Sequence, residues 1–165
     1  MTDAPTGRVV GLQCSAGGVP KLPVAEAMVR IGGMEGDRQR NRRFHGGPRR
    51  ALCLYSQERI EALAAEGHPI APGMIGENVT ILGLRWEDVT PGVRLTLGEV
   101  EVEVTSYTAP CRNISAAFSD GQFTRVGQKV HPGWSRVYVK ILREGRITIG
   151  DEVVLRGGVD PAKKE

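Results

Sequence analysis

Between Val93 and Val104 the chain changes character at almost every residue. Val93, Leu95 and Leu97 alternate with Arg94 and Thr96. Val100, Val102 and Val104 alternate with Glu99, Glu101 and Glu103. No helix gathers such a pattern onto one face, whereas a strand with one buried side does. Gly98 joins the two runs, so the pair is expected to form a hairpin, although the link carries none of the ideal two-residue turn dipeptides.

The rest of the chain is cut into pieces of similar size. Its 165 residues contain 22 glycines and 10 prolines, which leaves room for short strands and little room for long helices. Strands are expected over residues 8–14, 24–31, 51–55, 78–82 and 136–142, with 146–149 beginning a return and 151–155 closing the sheet. One helix is clear. Ser56 is its N-cap, Ile60, Leu63 and Ala64 share a face, Gly67 ends it and Pro69 follows. A second, short helix is expected over residues 112–118. Together these describe a mainly β protein, a small closed or partly open β-barrel with a few short helices. One domain spans residues 1–156, and residues 157–165 form a polar, flexible tail.

The cysteines, Cys14, Cys53 and Cys111, are odd in number and widely spaced, so they are no disulfide framework. Met1 to Gly7 lacks the apolar core of a signal peptide, and no apolar run approaches the length of a membrane span. A cytoplasmic protein with reduced thiols is the expectation. Three dispersed cysteines do not ligate an ordinary iron–sulfur cluster. HExxH, paired CxxC, GxSxG, Walker A and dinucleotide-binding patterns are all absent from the sequence, which removes several common enzyme classes.

Charge is uneven. Arg38, Arg40, Arg42, Arg43, Arg49 and Arg50 fall in one segment without an acid; set aside those six and the formal net charge of +3 becomes −3. A basic island on a mildly acidic body suits a local anionic ligand. Nucleic acid is not the expected partner, because aromatic residues make up only 5% and few bases find a ring to stack on. Within the island, Phe44-His45-Gly46-Gly47-Pro48 combines glycines that let backbone N–H groups approach an anion with a histidine that hydrogen-bonds one.

Cys111 follows Pro110 and precedes Arg112 and the expected short helix. A helix start and a neighbouring arginine both favour thiolate, the form that attacks electrophiles, carries sulfur or binds a soft metal. Free cysteine is also among the most buried residue types, so by itself the residue reads more readily as structural, and Cys14 and Cys53 lie inside apolar strand patterns where that reading is stronger still. Lys21 is read at the tip of a Gly-Gly-Val-Pro-Lys loop, where a lysine is ordinarily a solvated charge. Gly76-Glu77-Asn78 opens a strand and either presents its polar side chains to a pocket or simply turns the chain. His131-Pro132-Gly133-Trp134 is a turn whose tryptophan is expected to anchor the core or its rim.

These motifs follow one another in a set order: Gly33-Met34-Glu35-Gly36-Asp37, His45-Gly46-Gly47-Pro48, Ala51-Leu52-Cys53-Leu54-Tyr55-Ser56, Gly76-Glu77-Asn78-Val79-Thr80, Pro110-Cys111, then Gly145-Arg146-Ile147 and Gly150-Asp151. In that order the chain resembles the MOSC family, named for the C-terminal domain of molybdenum cofactor sulfurases, from about Arg8 to about Leu155. The resemblance implies a barrel-like β fold with Cys111 as the functional cysteine, carrying sulfur or ligating the molybdenum of a pyranopterin cofactor. It implies Asp37, His45, Gly46, Gly47 and Asn78 as pocket residues, with Lys21, Arg38 and Arg112 as candidates for the anionic part of the cofactor. Many relatives carry an arginine two to three residues before the cysteine. Here Ser106-Tyr107-Thr108-Ala109-Pro110 has none, and Arg112 is the candidate to supply the charge. Pyridoxal phosphate belongs to a different domain of full sulfurases and is not expected here. A reductase of this kind, acting on an N-oxygenated small molecule, takes electrons from a separate protein; a sulfur carrier takes sulfur from a separate desulfurase.

Overall fold

The computed structural model describes residues 4–15, 17, 19–37 and 47–157. Eleven strands are present among them: β1 Thr6–Cys14, β2 Leu22–Pro23, β3 Glu26–Arg30, β4 Gly33–Met34, β5 Leu52–Ser56, β6 Val79–Leu82, β7 Arg94–Leu97, β8 Val100–Tyr107, β9 Val137–Arg143, β10 Gly145–Thr148 and β11 Glu152–Arg156. The α-helix is α1, Gln57–Ala65, and short 3-10 turns fill the connections.

Seven strands close on themselves in the order β11, β7, β8, β9, β5, β6, β1, with β1 returning to β11 and β2 added beside β1. Closure removes exposed sheet edges from the barrel. The alternating run that opens the sequence forms β7 and β8, paired in register from Leu97 with Val100 to Arg94 with Glu103. The connection is the two-residue turn that the dipeptide pattern did not announce. Gly98 takes φ +60, and a side chain there would run into the Asp151 carboxylate, so only glycine makes this turn without strain. The valines it aligns, Val100, Val102 and Val104, are essentially inaccessible to water, each contributing roughly 1.5–3 kcal/mol by burial.

The expected return after Glu144 takes a different path. Glu144 alone separates β9 from β10, too little chain for a hairpin. Strand β10 therefore leaves the barrel and pairs antiparallel with β3, which in turn pairs with β4.

Strands β5 and β6 are parallel, Leu54 lying opposite Val79. Parallel neighbours require a crossover, and α1 with the loop after it supplies one. Ser56 Oγ caps the helix by accepting from the Arg59 N–H at 3.1 Å. The crossover starts β5 and β6 at one end of the barrel, and antiparallel β1 finishes there. Cys53, Asn78 and Gln13 thus converge, although 25 residues separate the first two and 65 the last two.

Candidate functional site

The Asn78 side chain is a buried fork. Its Oδ1 accepts from the Cys53 N–H at 3.0 Å. Its Nδ2 donates to Asp37 Oδ2 at 3.0 Å and to the Gln13 carbonyl at 3.3 Å. Backbone bonds brace it on both sides, from the Asn78 N–H to the Cys53 carbonyl at 2.7 Å and from the Gln13 N–H to the Asn78 carbonyl at 2.9 Å. An aspartate at this position has no N–H to offer Asp37, and an alanine leaves the Cys53 N–H without a partner.

Asp37 collects three donors. Besides Asn78, the Ser15 N–H reaches Oδ1 at 2.9 Å and Lys21 Nζ reaches it at 2.6 Å. Both charged side chains are buried, Lys21 at 6% exposure and Asp37 at 3%. The expected solvated lysine is therefore an internal ion pair. The loop after α1 causes the difference: the Lys21 N–H donates to the Gly73 carbonyl at 2.9 Å, drawing the Lys21 segment down onto it. Gly73 has φ +88, and a side chain there would run into the Lys21 carbonyl.

From this network the path to Cys111 runs through Cys53. Cys53 Sγ lies 3.8 Å from Thr108 Oγ1, at the start of the short loop that ends in Cys111. Burial pushes the Cys53 thiol up, with Arg136 opposing, Glu77 adding, and Thr108 and Lys21 opposing. Tyr138, directly opposite Cys53 in the β5–β9 ladder, is the shared neighbour. Burial pushes its phenol up to about 12, with Cys53 adding, Arg136 and Arg50 opposing, and Cys111 adding.

Cys111 itself is half-buried and forms the N-cap of the 3-10 turn Arg112–Ala117. Arg112 is exposed. The expected helix is present as this tighter turn, whose first backbone bond runs from the Ile114 N–H to the Cys111 carbonyl at 3.1 Å. The described end of the basic segment reaches the same neighbourhood. Gly47, at φ +93, leads into the 3-10 turn Pro48–Arg50. Thr105 Oγ1 donates to the Arg49 carbonyl at 2.5 Å, and the Arg50 guanidinium lies 5.4 Å from the Tyr138 ring centroid.

Of the residues singled out by sequence, Lys21, Asp37 and Asn78 share one network, while Cys111, Arg112 and Gly47 lie on the elements around Tyr138. Arg38, His45 and Gly46 lie outside the described residues. Cys14 is half-buried at the end of β1, on the Gly36 side of Asp37. Among the described residues no group of three or more His, Cys, Asp or Glu side chains could hold a metal ion. A cleft of about 210 Å³ between Trp86, Tyr107, Gln128 and Ser135 is lined by none of the candidate cofactor-site residues, although Pro132 and Gly133 of the His131–Trp134 turn border it. Trp134 is a rim anchor as expected: Arg59 and Arg125 lie 4.3 and 4.0 Å from its ring centroid, a cation–π contact for each.

Four network residues were not legible beforehand. Gln13 and Thr108 carry no motif. Ser15 contributes only a backbone N–H. Arg136 stands where strand alternation places a solvent-facing charge, yet it is 5% exposed, its guanidinium donating to the Ile75 carbonyl of the loop that follows α1.

A family model described as MOSC domain matches residues 41–154. The chain belongs to the MOSC domain family. This MOSC domain is 32% identical over 143 residues to the uncharacterized protein YflK of Bacillus subtilis (strain 168), a match covering 84% of the chain and 62% of YflK. It is 32% identical over 123 residues to protein YiiM of Escherichia coli (strain K12), covering 70% of the chain and 54% of YiiM. The chain thus spans less than two thirds of the length of these relatives. The crystal structure of YiiM from Geobacillus stearothermophilus superposes with a TM-score of 0.65 at 27% identity, over 92% of this chain and 75% of that one. The expected barrel is therefore the observed fold. No helix among the described residues is long and apolar enough to cross a membrane.

Proposed function

We propose that this MOSC domain binds molybdenum cofactor, with the Cys111 thiolate as the ligand to molybdenum. The observation that supports it is the convergence at Tyr138, where Cys111, Cys53 and Arg50 act on one phenol. That convergence sets a half-exposed soft donor beside the described end of the basic segment. Exposed Arg112 and half-buried Arg50 suit the anionic part of a pyranopterin. Lys21 suits it less, because Asp37 already matches its charge. By family resemblance Asp37, Asn78, Arg38, His45, Gly46 and Gly47 are assigned to the pocket for the same cofactor; Arg38, His45 and Gly46 lie outside the described residues. When bound, molybdenum cofactor supplies two-electron, oxygen-transfer redox chemistry, which suits reduction of an N-oxygenated small molecule with electrons from a separate protein.

The test is elemental and cofactor analysis of protein made in a host that synthesises the cofactor. About one molybdenum per chain is expected, lost in Cys111→Ala. Metal-free wild-type protein, or molybdenum retained in the variant, contradicts the proposal.

The half-exposed Cys111 thiol supports a second reading, sulfur carriage without turnover. A persulfide on Cys111, seen by mass spectrometry after incubation with a cysteine desulfurase and cysteine, is its signature. An unmodified Cys111 after that incubation rejects it.

A further inference from the structure

Next to the Asn78 fork lie two buried groups of opposite charge. Glu77 is wholly buried, and among the described residues neither carboxylate oxygen has a well-aligned hydrogen-bond donor. The backbone at Glu77 itself, Gly73 and Ile75 favours the anion without completing such a bond. Arg136 is buried as well; its Nη1 donates to the Ile75 carbonyl at 2.6 Å while its Nε has no partner among the described residues. Arg136 is the cation that acts on Glu77. Both also act on Cys53 and Tyr55. The other ionisable groups facing this set are Lys21 at Cys53, Arg59 and Arg125 at Tyr55, and Arg50 and Cys111 at Tyr138.

We propose that Glu77 and Arg136 are positioning residues of the site, a buried pair that holds the Asn78 fork against Cys53 and Asp37 and shifts it when Glu77 takes up a proton. Three observations carry this. Glu77 and Asn78 are consecutive, so a backbone displacement at Glu77 is carried directly into the fork. The Glu77 carbonyl is tied by Gln13 Nε2 at 3.1 Å, and the Gln13 carbonyl is tied by the fork itself at 3.3 Å, which closes a loop of bonds around the two residues. Finally, Lys21, Asp37, Arg136 and Glu77 balance to zero only with Glu77 ionised. A protonated Glu77 leaves the buried Arg136 unmatched, a state that a low-dielectric interior resists. Burial places the Glu77 titration at about 7, where a small change in proton activity moves it. The proposal does not depend on what Cys111 carries.

The experiment is an NMR pH titration, from pH 5 to 9, of the Cys53 amide and the Asn78 side-chain amide in the ligand-free chain. In the wild type both signals are expected to move with one shared midpoint near neutrality. In the near-isosteric Glu77→Gln variant they stay flat. In Arg136→Met the midpoint moves upward, since the cation that favours the anion is gone; if that variant does not fold, Glu77→Gln decides alone. Signals that do not titrate in the wild type, or that still titrate in Glu77→Gln, overturn the proposal. A merely space-filling Glu77 produces no pH-dependent displacement of the fork.

Discussion

Lys21 and Asp37, sixteen residues apart in the chain, meet at 2.6 Å with both side chains almost wholly withdrawn from water. Each has lost its hydration, so each depends on the other. Asp37→Ala strands a buried ammonium and is expected to cost about 3–5 kcal/mol, the range for breaking a buried pair from one side. Urea denaturation measures it. The double variant Lys21→Met/Asp37→Leu removes both charges and is expected to recover much of the loss. A double variant no more stable than Asp37→Ala contradicts this account.

Gly73 seats the lysine. Gly73→Ala adds a methyl group against the Lys21 carbonyl at a φ of +88, and a cost of about 1–3 kcal/mol is expected from backbone strain alone. A lower melting temperature checks the cost. Weaker protection of the Lys21 amide in hydrogen exchange checks the location, because that N–H donates to Gly73.

The three thiols are expected to separate by reactivity. Cys53 is buried, and that burial pushes its thiol up, whereas Cys14 and Cys111 are half-buried. Iodoacetamide at mildly alkaline pH, followed by peptide mapping, is expected to mark Cys111 and Cys14 in the folded chain and Cys53 only after denaturation. Early labelling of Cys53 is the contrary result.

Glu77 ties stability to pH. Its carboxyl rises from the ordinary 4.5 to about 7, with burial as the main cause. Below 4.5 both folded and unfolded chains hold the proton. Between the two values the unfolded chain releases it while the folded chain keeps it, so this residue's contribution to stability falls as pH rises. The loss, on the order of 3 kcal/mol, is complete above the folded value. Stability curves for wild type and Glu77→Gln are expected to differ in slope between pH 4.5 and 7 and to run parallel above. Parallel curves throughout reject this assignment.

The barrel was legible because its determinants are local. The valine–glutamate alternation of residues 99–104 marks a half-buried strand without reference to anything else, and the Ser56 cap marks where α1 begins. Of the candidate site, the resemblance singled out Asp37 and Asn78, which the structure brings together through one hydrogen bond. Lys21 was misread because its burial depends on a loop more than fifty residues away, through a bond to the Gly73 backbone. Arg136 was invisible for a related reason: alternation describes one sheet face against water, and here the loop after α1 meets the arginine through the Ile75 carbonyl. The path of β10 was likewise hidden, since pairing with β3 is a long-range choice that no local pattern encodes.

Strand β1 pairs along its length with β11, then β6, then β2, and this dictates an order of assembly. Its first residues wait for the partner at Glu152–Arg156, the last strand described, while its final residues belong to the Asp37–Asn78 network. On a ribosome the barrel therefore stays open, with the early edge of β1 unpaired, until nearly the whole domain has emerged. The polar network at the far end of that strand gains its closed support at the same late moment. Synthesis of this domain thus contains a window in which the edge of β1 is open to the wrong partner, and the speed with which β11 docks sets its length.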